Sequence, residues 1–153
     1  MAYANLYTHL TPSNEQPSFY AFRQGGNYNA ASSGWEKVVL DGTRWNTGNF
    51  YNTTTQRFTA PDTGVYQFNL NVNRYNVNDD LLLAVAFYVN GSVYAYGNRF
   101  HSRGTTDLVA SMSSTIRLSA NDHVEPWSYS NDAATGFSSG ANWNTFSGHL
   151  VGK

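Results

Sequence analysis

Residues 57–72 show the clearest alternation of apolar and polar positions in the chain. Apolar side chains fall at every second place, at Tyr66, Phe68, Leu70 and Val72, with polar side chains between them. This spacing predicts an antiparallel strand with one face buried and the other exposed. Residues 61–64, Pro-Asp-Thr-Gly, combine a residue that fixes φ with one that tolerates positive φ. They predict a turn that leads into the strand.

Residues 81–89 are apolar on both faces and end at Asn90-Gly91, a strong hairpin signal. We therefore expect residues 93–96 to return antiparallel. A strand buried on both faces needs a cover on each side, and a neighbouring subunit would supply one of them. Further strands are predicted by the same patterns at residues 19–22, 35–40, 49–51, 57–59, 108–112, 115–118, 123–127 and 145–151. Apolar spacing of three and four never persists for a helical window.

About ten short strands separated by turns predict an all-β fold, a ten-stranded antiparallel jelly roll of two sheets. Residues 1–17 show neither the helical nor the strand spacing of apolar residues, and they end in proline. We therefore interpret them as an N-terminal arm and residues 18–153 as one domain. Only 12% of the residues are charged and the net charge is -1, so nucleic acid is not an expected partner. No run of apolar residues is long enough for membrane insertion, and the absence of cysteine excludes disulfides and thiolate metal sites.

Residues 136–140, Gly-Phe-Ser-Ser-Gly, match the nucleophile motif of hydrolases. That motif requires a strand before the serine and a helix after it, whereas the flanking residues 131–135 and 141–144 read as loop. We therefore interpret residues 136–140 as a flexible linker. We expect the protein not to be an enzyme.

Two groups of carboxylates could bind calcium, which prefers oxygen ligands in loose geometry. Asp122, His123 and Glu125 stand close in sequence, and Asp79-Asp80 form a pair. Solvated loop carboxylates are the simpler interpretation, so calcium is the one cofactor that the sequence leaves open.

Two sets of side chains are candidates for ligand binding. Arg99, His101 and Arg103 alternate along one strand face or loop, where they would either meet an anionic partner or keep an edge strand soluble. Trp127, Tyr129 and Trp143, like Trp45, lie in or beside polar loops. Rigid aromatic residues among small polar ones make adaptable binding surfaces, although burial in the core is the alternative.

Five blocks along the chain resemble the globular head of the complement one-q family, within the tumour-necrosis-factor-like jelly rolls. In order, the blocks are Val39-Leu40-Asp41 with Asn46-Thr47-Gly48-Asn49 and Tyr51, then Phe58-Thr59-Ala60-Pro61 with Gly64-Val65-Tyr66 and Phe68, then Tyr88-Val89-Asn90-Gly91, residues 116–124, and Phe146-Ser147-Gly148-His149-Leu150. The family pattern places glycine two residues before Phe58, where this chain has Gln56, so a different local turn is expected there.

The resemblance implies a tight homotrimer around an apolar axis, acting by binding and not by catalysis. The expected interface is one face of the apolar run, either that of Leu82, Ala84, Ala86 and Tyr88 or the opposite face. Tyr66 and Phe68 are added to it by resemblance. We expect an extracellular head, on a cell or virion surface, that binds a protein or glycan through its loops. The alternative is a structural tip of a surface or viral fibre. The expected binding residues are Trp127, Tyr129, Trp143, Arg99, His101 and Arg103.

Overall fold

The computed structural model describes residues 16–29, 33–105 and 107–153, so most of the predicted N-terminal arm lies outside the described residues. These ranges contain strands and no helix. The strands are β1 Ser18–Phe22, β2 Tyr28–Asn29, β3 Gly34–Lys37, β4 Gly42–Thr47, β5 Tyr51–Asn52, β6 Arg57–Thr59, β7 Gly64–Tyr75, β8 Leu82–Val89, β9 Ser92–His101, β10 Leu108–Leu118, β11 His123–Ser130, β12 Gly136–Phe137 and β13 Thr145–Gly152. Within the described ranges there is accordingly no helix that could cross a bilayer.

The strands form two antiparallel sheets that pack face to face. The first sheet has seven strands, in the order β2-β12-β7-β13-β1-β4 with β10 on the other side of β7. The second has six, in the order β5-β6-β11-β8-β9 with β3 beside β11. Three strands have only two residues and the other ten are longer. The predicted all-β jelly roll of two antiparallel sheets is therefore confirmed.

The core between the sheets is rich in phenylalanine. Gly148 permits close packing there, because a Cβ atom at that position would lie 2.5 Å from Phe68 and 2.9 Å from Phe19. Tyr66 and Phe68, expected at a trimer axis, are instead fully buried in this core. That expectation is wrong, since their side chains have no surface to offer a neighbour.

Both apolar faces of β8 are covered by side chains of the same chain. Leu83, Val85 and Phe87 face the core. The opposite side chains, Leu82, Ala84, Ala86 and Tyr88, point outward and lie beneath or beside aromatic side chains from flanking strands, so Ala86 is fully buried. A neighbouring subunit is not needed to explain the pattern, and Ala86 has no surface for an interface.

β11 is longer than predicted: Trp127 ends the predicted strand, and the observed strand continues through Tyr129, which the sequence placed in or beside a loop. The core-facing positions beside them are Ser128 and Ser130, so the apolar alternation is interrupted. The cause is Arg74, whose fully buried guanidinium donates to the Ser128 hydroxyl at 3.2 Å and lies 4.3 Å from the Phe137 ring centre.

Residues 108–112 and 115–118, predicted as separate strands, form one strand, β10.

Arg74 is paired with Glu36 at 2.8 Å, and this pair joins the two sheets, because Arg74 belongs to β7 and Glu36 to β3. Burial lowers the pKa of Arg74, and the attraction of Glu36 opposes that effect. A charge buried so completely is tolerated only when it is paired, so the pair of Arg74 and Glu36 holds β7 of one sheet against β3 of the other.

Residues 136–140 are not a flexible linker, which corrects that prediction. Gly136 and Phe137 pair with β2 and β7, and the Phe137 side chain is fully buried. The Ser138 hydroxyl donates to the side-chain oxygen of Asn73 and is nearly buried. Ser138 therefore holds a loop in place.

Candidate functional site

The outer face of the second sheet carries a row of side chains that crosses four strands, with three large residues and one alanine. The pairing of the strands places Arg99 of β9 opposite Ala84 of β8, Ala84 opposite Tyr129 of β11, and Tyr129 opposite Trp35 of β3. Side chains directly opposite one another in an antiparallel pair share a face. Arg99, Ala84, Tyr129 and Trp35 therefore stand in line on the surface that faces away from the core.

The small residues of β8 turn this face into a groove. A cavity of about 480 Å³ is lined by Trp35, Leu82, Ala84, Tyr96, Arg99 and Tyr129, and we call it the β8 groove. Its floor is Leu82 and Ala84, and its walls are the longer side chains on either side. The volume lies within the range of about 300–1,000 Å³ that small-ligand sites occupy.

Aromatic rings form the walls of the β8 groove. Trp35 is central, with its ring centre 5.7 Å from Tyr96 and 5.5 Å from Tyr129. Tyr96 is the most open of the three, with 67% of its surface exposed. Together the three rings form a contiguous aromatic patch beside the cavity, and patches of this kind are typical of interaction surfaces.

A second cluster continues the same face beyond the groove. Trp127 stacks on Tyr88, with ring centres 4.5 Å apart, and its indole nitrogen donates to the Glu125 carboxylate at 3.2 Å. Lys37 and Arg57 each reach that carboxylate at 2.8 Å. Burial alone would raise the pKa of Glu125, but the hydrogen bonds from Lys37, Arg57 and Trp127 outweigh it and hold the pKa below its usual value.

The structure brings only some of the sequence-predicted binding residues together. Arg99 and Tyr129 line the β8 groove, and Trp127 stands beside it on the same face. His101 is paired with Asp80 at 2.9 Å just past the groove, and Arg103 lies in the following loop. Trp143 lies at the other sheet, where its carbonyl accepts a hydrogen bond from Asn71.

Sequence reasoning missed Trp35 and Tyr96, the two residues that complete the walls. Trp35 begins the predicted strand at residues 35–40, and its local pattern does not indicate that it lines a cavity. Tyr96 alternates with Tyr94 just after the Asn90-Gly91 hairpin, and that alternation was the available signal.

The carboxylates considered for calcium do not converge in the described ranges, where no three His, Asp or Glu side chains group as metal ligands. Asp80 is engaged by His101, and Asp79 accepts from the Gly104 backbone at 2.7 Å. Glu125 is occupied by its two cations. Calcium binding stays an untested prediction.

The fold defines the class of protein as a two-sheet antiparallel jelly roll with an open cavity on the outer face of its second sheet. A family model described as "C1q domain" matches residues 18–151, and the chain belongs to that family. Domains of the family are generally trimeric heads that recognise ligands, typically non-enzymatic, in secreted or extracellular proteins.

Solved structures agree on the fold. The globular domain of zebrafish complement 1qA superposes with a TM-score of 0.65 at 19% identity, covering 90% of this chain and 98% of the other. Murine APRIL at pH 8.0 superposes with a TM-score of 0.63 at 12% identity, covering 90% and 100%. No match was found among curated protein sequences.

Proposed function

We propose that this chain is a non-catalytic recognition head, a homotrimer that binds a protein or glycan ligand outside the cell or on a particle surface. The observation that carries the proposal is the β8 groove, an open cavity walled by Trp35, Tyr96 and Tyr129. Aromatic walls with a few polar groups are the usual composition of a recognition site.

The proposed site lies on a sheet face and includes three of the expected residues, Arg99, Trp127 and Tyr129. Arg99 and Tyr129 contribute directly to the cavity, and Trp127 lies beside it on the same face. Trp143 is left out because it lies at the other sheet, and it serves as the control for Tyr96 because both aromatic side chains are exposed.

Two edge strands support assembly into a homotrimer. In the described residues β9 pairs only with β8, and β10 pairs only with β7. These adjacent edges expose apolar side chains, namely Val93, Tyr94, Phe100 and Val109. Long apolar edges must be covered to avoid uncontrolled pairing, and a neighbouring subunit would cover them.

Light scattering tests the assembly. We expect a mass near three times the 17.0 kDa of one chain. A stable monomer at micromolar concentration would contradict the trimer.

An array of glycans and proteins, probed with the native oligomer, tests recognition. We expect specific binding that is lost in Tyr96→Ala and retained in Trp143→Ala, since both residues are exposed but only Tyr96 lines the groove. An array that stays blank for a well-folded trimer would favour the alternative, a structural fibre tip. Binding that fails in Trp143→Ala alone would move the site to the other sheet.

A further inference from the structure

The β8 groove contains a cation that has no counter-charge in the described part of the chain. Arg99 lines the cavity, and it takes part in none of the ion pairs formed among the described residues. Its neighbour on the strand face, His101, is by contrast paired with Asp80. A guanidinium beside aromatic walls is suited to an anion with planar, two-oxygen geometry, such as a carboxylate.

The rest of the groove is suited to a ring with one apolar face. Trp35, Tyr96 and Tyr129 present aromatic surfaces, and the floor of Leu82 and Ala84 has no polar side-chain atoms. The negative face of an aromatic ring attracts the slightly positive C–H groups on one side of a pyranose. The hydroxyls of Tyr96 and Tyr129 can donate hydrogen bonds to, and accept them from, the hydroxyls of a sugar.

A peptide is less suited to this position. Extended peptides usually gain affinity by adding a strand to a sheet edge, where backbone groups are free. The groove lies over β8, which is paired with β9 on one side and β11 on the other, so the backbone groups beneath it are already bonded. A peptide lying there would bury its own backbone polar groups without partners.

We propose that the β8 groove binds a carboxylated pyranose of a glycan, with the ring packed against Trp35, Tyr96 and Tyr129 and the carboxylate paired with Arg99. This inference rests on the proposed function and gives the groove its ligand class. The charge complementarity at Arg99 is the feature that selects an acidic sugar over a neutral one.

Titration calorimetry of the native oligomer tests the proposal with trigalacturonate and the matched neutral galactose trisaccharide. We expect the neutral sugar to bind at least about tenfold more weakly, because it lacks the charge-assisted hydrogen bonds. Arg99→Gln should bring trigalacturonate down to the level of the neutral sugar. Arg103→Gln, which removes the same charge outside the groove, should leave the preference intact.

Each other outcome is informative. Equal losses in Arg99→Gln and Arg103→Gln would mean general electrostatic attraction and overturn the proposal. If trigalacturonate does not bind while Tyr96→Ala still abolishes binding to an array ligand, the ligand class is wrong and the proposed function stands. If Tyr96→Ala changes no binding at all, both fail. A melting temperature for every variant establishes that each is folded.

Discussion

Gln56 offers a sharp test of the structure, because it stands where the family pattern has glycine. Its φ is +57°, a conformation that costs a residue with a Cβ about 1–2 kcal/mol. Its side chain is buried, and its oxygen accepts hydrogen bonds from the Leu40 backbone N–H at 2.7 Å and the Tyr51 hydroxyl at 3.0 Å. The backbone strain is thus offset by side-chain hydrogen bonds.

Gln56→Gly relieves the strain and leaves two buried donors without an acceptor. Each unsatisfied donor costs about 1–3 kcal/mol, so we expect a net destabilisation of about 2 kcal/mol after the relief of strain is subtracted. Gln56→Ala keeps the strain and should cost about 1 kcal/mol more. For a domain of this size, about 2 kcal/mol lowers Tm by roughly 4–8 °C.

Urea denaturation followed by circular dichroism, at one fixed protein concentration, measures these differences despite coupled assembly. Tyr51→Phe completes a double-mutant cycle with Gln56→Gly, because it removes the tyrosine hydroxyl that would otherwise be buried without an acceptor. It should cost about 1 kcal/mol less in the Gln56→Gly background than in the wild type. A Gln56→Gly protein as stable as the wild type would refute the compensation.

Three further variants test other parts of the structure. Because the pKa of Glu125 is lowered, its ion pairs stabilise the fold above the usual glutamate value of 4.5, and this stabilisation is lost as the pH falls below that value. Glu125→Gln should therefore reduce the pH dependence of the urea midpoint between about pH 6 and pH 3. Trp127→Ala should lower both ligand affinity and stability, the latter by about 1–3 kcal/mol, because the ring is stacked on Tyr88; unchanged melting would contradict this. Ser138→Ala should leave activity unchanged and cost about 1 kcal/mol through the lost Asn73 bond; loss of an esterase activity would disprove the structural role.

Alternation was sufficient to predict the sheets wherever the core side of a strand is apolar. β7 follows from this alternation, whereas β8 follows from its continuous apolar run, which ends at the correctly predicted hairpin at Asn90-Gly91. The pattern failed at the end of β11, because the core there accommodates the buried guanidinium of Arg74 and uses serine in place of valine or leucine. A long-range ion pair of that kind leaves no local signal in the sequence.

The groove depends on register, which alternation does not determine. A plain two-residue hairpin would place Ala84 opposite Gly97 and Ala86 opposite Ala95. Two irregularities in β9 shift the pairing so that Ala84 faces Arg99 and Ala86 faces Tyr96. Such a slip changes which side chains share a face, so Tyr96 and Arg99 could not be assembled into one site beforehand.

The four tryptophans allow the position of the binding site to be measured directly. Trp35 and Trp127 lie on the outer face of the second sheet, whereas Trp45 and Trp143 lie at the first sheet. In fluorine NMR of protein labelled with 5-fluorotryptophan, single Trp→Phe variants would assign the four signals. During titration with the strongest array ligand, the signals of Trp35 and Trp127 should shift and those of Trp45 and Trp143 should stay. Shifts confined to Trp45 and Trp143 would contradict recognition through the β8 groove.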